Sequence, residues 1–457
     1  MLNKALTDYY RCPDDFAGFT LVGDLSAEPG YFRFGHDTIG YGRCATGAGA
    51  GFVTDPNYDA LEHVTIDASV PCLPFDPMQV VDNLRCERYS VRAGGHWKTF
   101  STSAAIRKAY YFARPLMPVN VRRHFQKLDL DDWGEIPFPA WPVDRTVERM
   151  LEKLLRLSLK AQGVSRIPFI WFWPEGYSSC ATMTHDVEES AGLEFCPQLM
   201  DIDDAAGIKA SFQIVPEKRY AVSTDVLNRI RARGYEVNVH DLNHDGHLYQ
   251  DREEFLRRAK RINKCLREFG ALGFRSGALY RNVEWYDAFD CSYDMSVPNV
   301  AHLDPQRGGC CTVMPYFIGK ILELPVTTTQ DYTLFHIFEE YAITLWIRQL
   351  EMIRQKHGLA SFIIHPDYVI EERAQSTYRA LLAHLCKLRS EGKIWIARPG
   401  EINRWWRERS QMELVERRGT WTIEGPGMDR ARIAYAELEG DGLVYSLPEK
   451  TRTESAV

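Results

Sequence analysis

Three short segments of this chain carry ionisable groups at spacings that suit hydrolytic chemistry. They are Thr184-His185-Asp186-Val187-Glu188, His240-Asp241-Leu242-Asn243-His244 and Phe362-Ile363-Ile364-His365. The first and last each follow an apolar run and end in an ionisable residue. The middle one holds two imidazoles four residues apart, and on a helix or helical turn that spacing puts both rings on one face. Two histidines and one carboxylate make a common protein site for a divalent metal with an open position. His365, at the end of a separate apolar run, suits a proton donor. Together these are the groups of a metal-assisted hydrolase.

Such groups need a scaffold that brings distant segments together. From about residue 166 to 408, strand and helix patterns alternate. Apolar runs at 180–183, 208–215, 235–239, 273–275, 322–325, 361–364 and 394–396 read as strands. Helical patterns cover 224–233 and 335–355. A further helix starts at Asp251, where Glu254 three residues on makes a capping-box pattern, and runs to Phe269-Gly270. This alternation predicts a parallel α/β sheet or barrel, whose active groups gather at the C-terminal strand ends. Asp186, His240, Arg275 and His365 all sit just after predicted strands.

Residues 1–165 mix short β-like runs with turns such as Gly47-Ala48-Gly49-Ala50-Gly51, then a helical stretch over 145–161 with Val147, Met150, Leu151, Leu154, Leu155 and Leu159 at helical spacing. This N-terminal α+β region shows no recognisable chemistry. Residues 409–457 alternate between apolar runs and Gly-rich turns and read as a small antiparallel β extension.

Composition sets the outer limits. At 457 residues the chain is long enough for roughly two or three domains. Hydrophobic residues at 45% and charged residues at 26% fit a soluble globular protein. A formal charge of -7 implies no broad basic face for nucleic acid. The most apolar stretch, 167–174, is far shorter than the ~20 residues of a membrane helix and reads as a buried strand. The first residues have no apolar core of signal-peptide length, so a cytoplasmic location is expected. The eleven cysteines follow no metal-type spacing and are expected to be reduced, mostly as core residues.

The motif set resembles the polysaccharide deacetylase superfamily, the NodB-homology or carbohydrate esterase family four proteins. Its T-F-D-D-G motif is similar to Thr184-His185-Asp186-Val187-Glu188, its H-x-x-x-H motif to His240 and His244, and its Arg motif to Arg275-Ser276-Gly277-Ala278-Leu279-Tyr280. Tyr293-Asp294-Met295-Ser296 resembles the fourth motif and Phe362-Ile363-Ile364-His365 the fifth. The resemblance covers about 166–408 and implies a distorted, incomplete (β/α) barrel. It also implies a divalent ion, most often Zn, and removal of an acetyl group from an N- or O-acetylated sugar or glycan precursor.

The first motif departs from the family pattern. The family has two Asp residues there, the first resembling a general base and the second a metal ligand. This chain has Asp186 followed by Val187, a His-Asp-Val-Glu variant. An ungapped match puts Asp186 at the base position. Geometry also lets Asp186 join His240 and His244 at the metal, with His185 or Glu188 giving basic or polar help. The expected catalytic residues are Asp186, Glu188, Arg275 and His365, with Arg275 orienting a carboxylate; the expected metal ligands are Asp186, His240 and His244.

Other residues have plainer readings beside a functional one. Asp245 and His247 are second-layer partners of the metal or members of a solvated loop. Asp241 orients a neighbour or caps the turn. Asp331 faces the cleft or caps a helix. Trp405 and Trp406 stack on sugar or fill the core. Two other functions suit the same chain: hydrolysis of other non-peptide C–N bonds, such as cyclic ureides, in some cases without metal, and non-catalytic carbohydrate binding on a degenerate barrel.

Overall fold

The strand Cys180–Val187 is buried along its whole length, as a parallel strand covered on both faces must be, and the main sheet is built around it. The computed structural model describes residues 3–54, 58–89, 133–440 and 442–448. In the main sheet the strands run in the order Tyr316–Ile318, Ile321–Glu323, Tyr293–Asp294, Gly273–Arg275, Glu236–His240, Ser211–Ile214, Cys180–Val187 and Leu359–Ile364, and Trp395–Ile396 also pairs with Cys180–Val187. All neighbours are parallel except the hairpin of the first two. That hairpin strand, Tyr316–Ile318, is an edge that periodicity does not reveal.

The two end strands, Tyr316–Ile318 and Leu359–Ile364, do not pair, so the barrel stays open. Side chains bridge part of the gap. Thr327 donates to the Leu359 carbonyl (2.7 Å) and Thr328 to that of Ser361 (2.6 Å), while Thr327 accepts from the Ser361 amide (2.9 Å). The fold is therefore a distorted, incomplete (β/α) barrel.

Helices form largely where the periodicity puts them. Thr146–Gln162 buries Val147, Met150, Leu151, Leu154, Leu155 and Leu159. Arg252–Phe269 begins at Asp251, whose side chain accepts from the Glu254 amide (2.9 Å), and ends at Gly270, in the left-handed region at φ 57°. Glu254 does not reach back to complete a capping box; Arg257 and Arg258 hold its carboxylate. The single helix expected over 335–355 is a correction: it is a π-helical turn, Thr333–Ile337, and a separate helix, Thr344–Arg354. Between them Glu339 adopts φ 55°, and Tyr341 folds back to stack on Phe335 at 4.9 Å. Aromatic packing outweighs helical continuity there.

The strand Arg166–Ile170 is not in the barrel. It pairs antiparallel with Ile433–Glu439, which in turn pairs with Gly442–Ser446. A second tail hairpin joins Glu413–Arg417 to Thr420–Glu424. The N-terminal region and the tail share one core, with Leu6, Tyr10, Phe34, Leu154, Phe169, Trp173, Trp405 and Ala434 among its buried members. Trp405 and Trp406 are buried there, Trp405 donating to the Phe172 carbonyl (2.8 Å) and Trp406 packing on Trp173. Among the described residues no helix is long and apolar enough to cross a membrane.

One feature of the barrel wall gives a test of its electrostatics. Asp294 and Glu323 sit opposite each other on adjacent strands and are fully buried. Burial and the neighbouring Asp294 carboxylate push the Glu323 carboxyl well above its usual range. A carboxyl with a raised folded-state pKa takes up a proton on folding. Its contribution is present below the unfolded value of about 4.3 and turns destabilising as pH rises toward the folded value. Glu323→Gln copies the protonated form. We expect thermal melts to show the variant gaining on the wild type between pH 5 and pH 8; a pH-independent difference rejects the raised Glu323 carboxyl.

Candidate active site

Alternation along Cys180–Val187 separates its polar side chains. Thr184 and Asp186 face the barrel interior, where Arg275 Nη1 donates to both, at 2.7 and 2.6 Å. His185 points to the other face. Its ring bonds the Asp203 carboxylate (2.9 Å) and the Ile364 carbonyl (3.2 Å), under the helix Ser190–Ala205. It has no place in the site, which corrects the expectation that it could assist there.

Glu188 lies two residues beyond Asp186, just past the strand end, and returns to the same interior face. Its Oε1 stands 2.9 Å from His244 Nε2, 3.5 Å from His240 Nε2 and 3.4 Å from His365 Nε2. One carboxylate oxygen thus collects three imidazole nitrogens. Glu188 keeps 19% of its side chain exposed while the three histidines keep 7% or less, as befits the floor of an open cleft.

The H-x-x-x-H pair is not on a helix. His240 ends the strand Glu236–His240 and His244 lies in the loop beyond. Asp241 and His244 both take left-handed backbone angles, φ 53° and 52°, and so the loop curls to bring the two rings to 4.9 Å. Such backbone in non-glycine residues costs of order 1–3 kcal/mol and concentrates at functional sites. Gly277 lets the Arg275 segment pass close by: a Cβ there would meet Asp241 Oδ2 at 2.6 Å and His244 Cδ2 at 2.9 Å. The small residues after Arg275 therefore have a steric reason.

Second-layer contacts fix the imidazoles. The Arg275 carbonyl accepts from His240 Nδ1 (3.1 Å), so Nδ1 carries the hydrogen and Nε2 is left as a donor atom for a metal. Arg219 donates to the His244 carbonyl (2.8 Å) and to Glu189 (2.6 Å); nothing in the sequence singled it out. Asp331 takes both the amide (2.7 Å) and Nδ1 (2.6 Å) of His365, turning His365 Nε2 to the cleft. It positions His365, and its Oδ1 also accepts from the Tyr332 amide (2.8 Å) where the helical turn begins. Asp245 instead grips Arg258 (2.6 Å) and caps the His247 amide (3.0 Å), so it holds the loop and not the site. Asp294 and Ser296 of the fourth motif buttress the Arg275 strand: Ser296 accepts from the Ser276 amide, and the Met295 carbonyl accepts from Arg275 Nε.

The charges reinforce one another. Burial opposes ionisation of Glu188, yet His244 first, and then the close imidazoles of His240 and His365, hold its carboxyl well below the usual range. Burial likewise opposes ionisation of Asp186, but Arg275, then His240 and His365, draw its carboxyl down. His365 is buried, which disfavours its charged form, but Asp331 and Glu188 raise its pKa well above the ordinary imidazole value. His244 is raised too, by Glu188 against burial. A cleft that draws protons onto His244 and His365 has the negative potential that also attracts a cation.

Glu188, His240 and His244 are the group of donors suited to a metal ion among the described residues, their ligand atoms lying within 4.8 Å of one another. The separations from Glu188 of 2.9 and 3.5 Å bracket the edge of a tetrahedron with bonds of about 2.1 Å, which is roughly 3.4 Å. His244 Nε2 is buried and in no aligned hydrogen bond, although Glu188 is so near; a nitrogen aimed beside an anion rather than along it suits a shared ion. The expected ligand set of Asp186, His240 and His244 is therefore revised. Asp186 Oδ2 is 3.8 Å from His240 Nε2, and its Oδ1 is committed to Arg275.

No family model matches the sequence, and no curated protein does. Among solved structures, the chain is similar to a protein from Mycobacterium smegmatis described as a polysaccharide deacetylase, at 18% identity over 52% of this chain and 93% of that one, with a TM-score of 0.43. It is similar to Puue allantoinase at 14% identity over 51% and 92%, with a TM-score of 0.40. It is also similar to the peptidoglycan deacetylase PdaC from Bacillus subtilis at 11% identity over 50% and 90%, with a TM-score of 0.33. At such identities and scores, function rests on the residues of the cleft itself.

Proposed function

We propose that the protein is a divalent-metal-dependent hydrolase that removes an acetyl group from an N- or O-acetylated sugar or glycan precursor. The observation that carries this is the meeting of a three-donor set, Glu188, His240 and His244, with an arginine-held carboxylate on one side and an aspartate-held histidine on the other. Glu188, His240 and His244 would hold the ion, which supplies Lewis acidity and an activated water. Zn is the metal that two imidazoles and a carboxylate suit best.

The chain's own residues then divide the proton work. Asp186, kept ionised by Arg275, takes a proton from the attacking water. The oxygen of that water joins the carbonyl carbon, and the C–N or C–O bond to the sugar breaks. His365 Nε2, held protonated by Asp331, gives its proton to the departing nitrogen or oxygen. Acetate and the free amino or hydroxyl sugar are the products. Glu188, one position beyond the family's second aspartate, favours this metal-based reading over metal-free ureide hydrolysis, because it completes a donor set with His240 and His244.

Elemental analysis of protein purified without chelator tests the reading. About one divalent ion per chain is expected, with acetate release from acetylated sugars lost on chelation and restored by Zn, Co or Ni. A metal content near zero, also after adding each ion, rejects it.

A further inference from the structure

Two segments that follow the proton-transfer pair carry a cluster of rings with no assigned role. Asp331 is followed by Tyr332 and the π-helical turn Thr333–Ile337, which contains His336. His365 is followed by the short turn Pro366–Val369, which contains Tyr368. Tyr368 packs on the His365 ring at 4.7 Å, on His336 at 4.8 Å and edge-on, and on Tyr332 at 5.7 Å; Tyr332 and His336 lie 5.4 Å apart.

All three rings are partly exposed, whereas the neighbouring Phe335 and Leu334 are buried. A π-helical turn is uncommon and frequent at functional sites, because its wider winding re-aims the side chains along it. Here it sets Tyr332 and His336, four residues apart, both beside Tyr368. Burial pushes the Tyr368 hydroxyl well above its usual pKa, so the ring stays neutral, an apolar body with a polar tip.

We infer that Tyr332, His336 and Tyr368 form a stacking platform for the pyranose ring that carries the departing nitrogen or oxygen, an assignment that rests on the hydrolase function proposed above. Position decides which part of the substrate the rings meet. They flank His365, whose proton goes to the leaving group, and not Asp186 or Arg275 on the water side. When the acetyl C–N or C–O bond breaks beside His365 Nε2, the sugar must lie next to that ring, and the C–H face of a pyranose is apolar enough to lie on tyrosine.

The test compares Tyr332→Leu, Tyr368→Leu and Tyr368→Phe with the wild type, all metal-loaded. Acetate release is measured from vinyl acetate, which has no ring, and from a set of N- and O-acetylated pyranosides. Sugar binding is read separately by saturation-transfer NMR. An aromatic contact of about 0.5–1.5 kcal/mol corresponds to roughly 2–13-fold in affinity. Each leucine variant should therefore raise KM for the pyranosides by roughly that factor more than for vinyl acetate, and Tyr368→Phe should recover the pyranoside KM. Equal losses on both substrates, or a phenylalanine variant no better than leucine, would reduce Tyr368 to a support for His365 and overturn the platform. Vinyl acetate turnover with no pyranoside bound would also overturn it. No turnover of either substrate, with sugar binding seen in the wild type and lost in the leucine variants, would leave the platform standing and remove the hydrolase reading.

Discussion

Glu188→Gln is expected to empty the metal site and to stop turnover together. Among the described residues, Glu188 is the only carboxylate whose oxygen lies within 3.5 Å of both His240 and His244. A glutamine keeps the shape but removes the charge that offsets a divalent ion. Losing a partner one layer out from a metal costs ~10–100-fold in affinity, so losing an anionic ligand should cost more than that. Asp186→Asn is the matched comparison. It should keep its ion and lose about 10²–10⁴ in rate, the range of a general base. Metal content by elemental analysis and acetate release, measured on both variants, separate the two roles. If Asp186→Asn loses the ion and Glu188→Gln retains it, the ligand and the base must be exchanged. If Glu188→Gln keeps both ion and activity, the proposed centre is wrong.

Why one acid and not the other was unreadable in the sequence follows from strand geometry. Asp186 and Glu188 are two residues apart, and a period of two puts both on the same face. Choosing between them needs the position of Arg275, which reaches Asp186 from a strand three places away in the sheet. Apolar runs and their order made the strands legible, and with them the convergence of Asp186, His240, Arg275 and His365. The two-histidine spacing was legible as a pair but not as a conformation. Left-handed angles at Asp241 and His244 do what a helix was expected to do, and those residue types do not demand such angles. Asp331 read equally well as a helix cap, because a carboxylate after a strand does both jobs. The stretch 167–174 read only as a buried strand, because its apolar pattern does not say which sheet it joins; the partner of Arg166–Ile170, Ile433–Glu439, lies far along the chain. Trp405 and Trp406 read as core or as sugar contacts, and packing settled them as core.

His365 offers the second large effect, and Asp331 the means to tune it. His365→Ala removes the acid while leaving Glu188, His240 and His244 in place, so the ion should stay and the rate should fall about 10²–10⁴-fold on substrates with poor leaving groups. Asp331→Asn is subtler. The Asp331 carboxylate, next to burial the largest influence on His365, holds the imidazole in its charged form well above the ordinary value. A cation held by Glu188 would pull the other way, by repelling a second positive charge, which makes the Asp331 carboxylate more necessary. The acid works only while protonated, so its pKa sets the alkaline limb of the pH–rate profile. Removing the Asp331 charge lowers that pKa, and the limb should move to lower pH, with the greatest loss at neutral pH and above and partial recovery below pH 6. The same bond bears on stability with a fixed sign. A histidine with a raised folded-state pKa gives its full stabilisation below about pH 6.5 and loses it as pH rises through the folded value. The melting temperature of Asp331→Asn should therefore lie furthest below that of the wild type in acid and approach it in alkali. A limb that stays in place, with an ion content like that of the wild type, would show that His365 is not the proton donor.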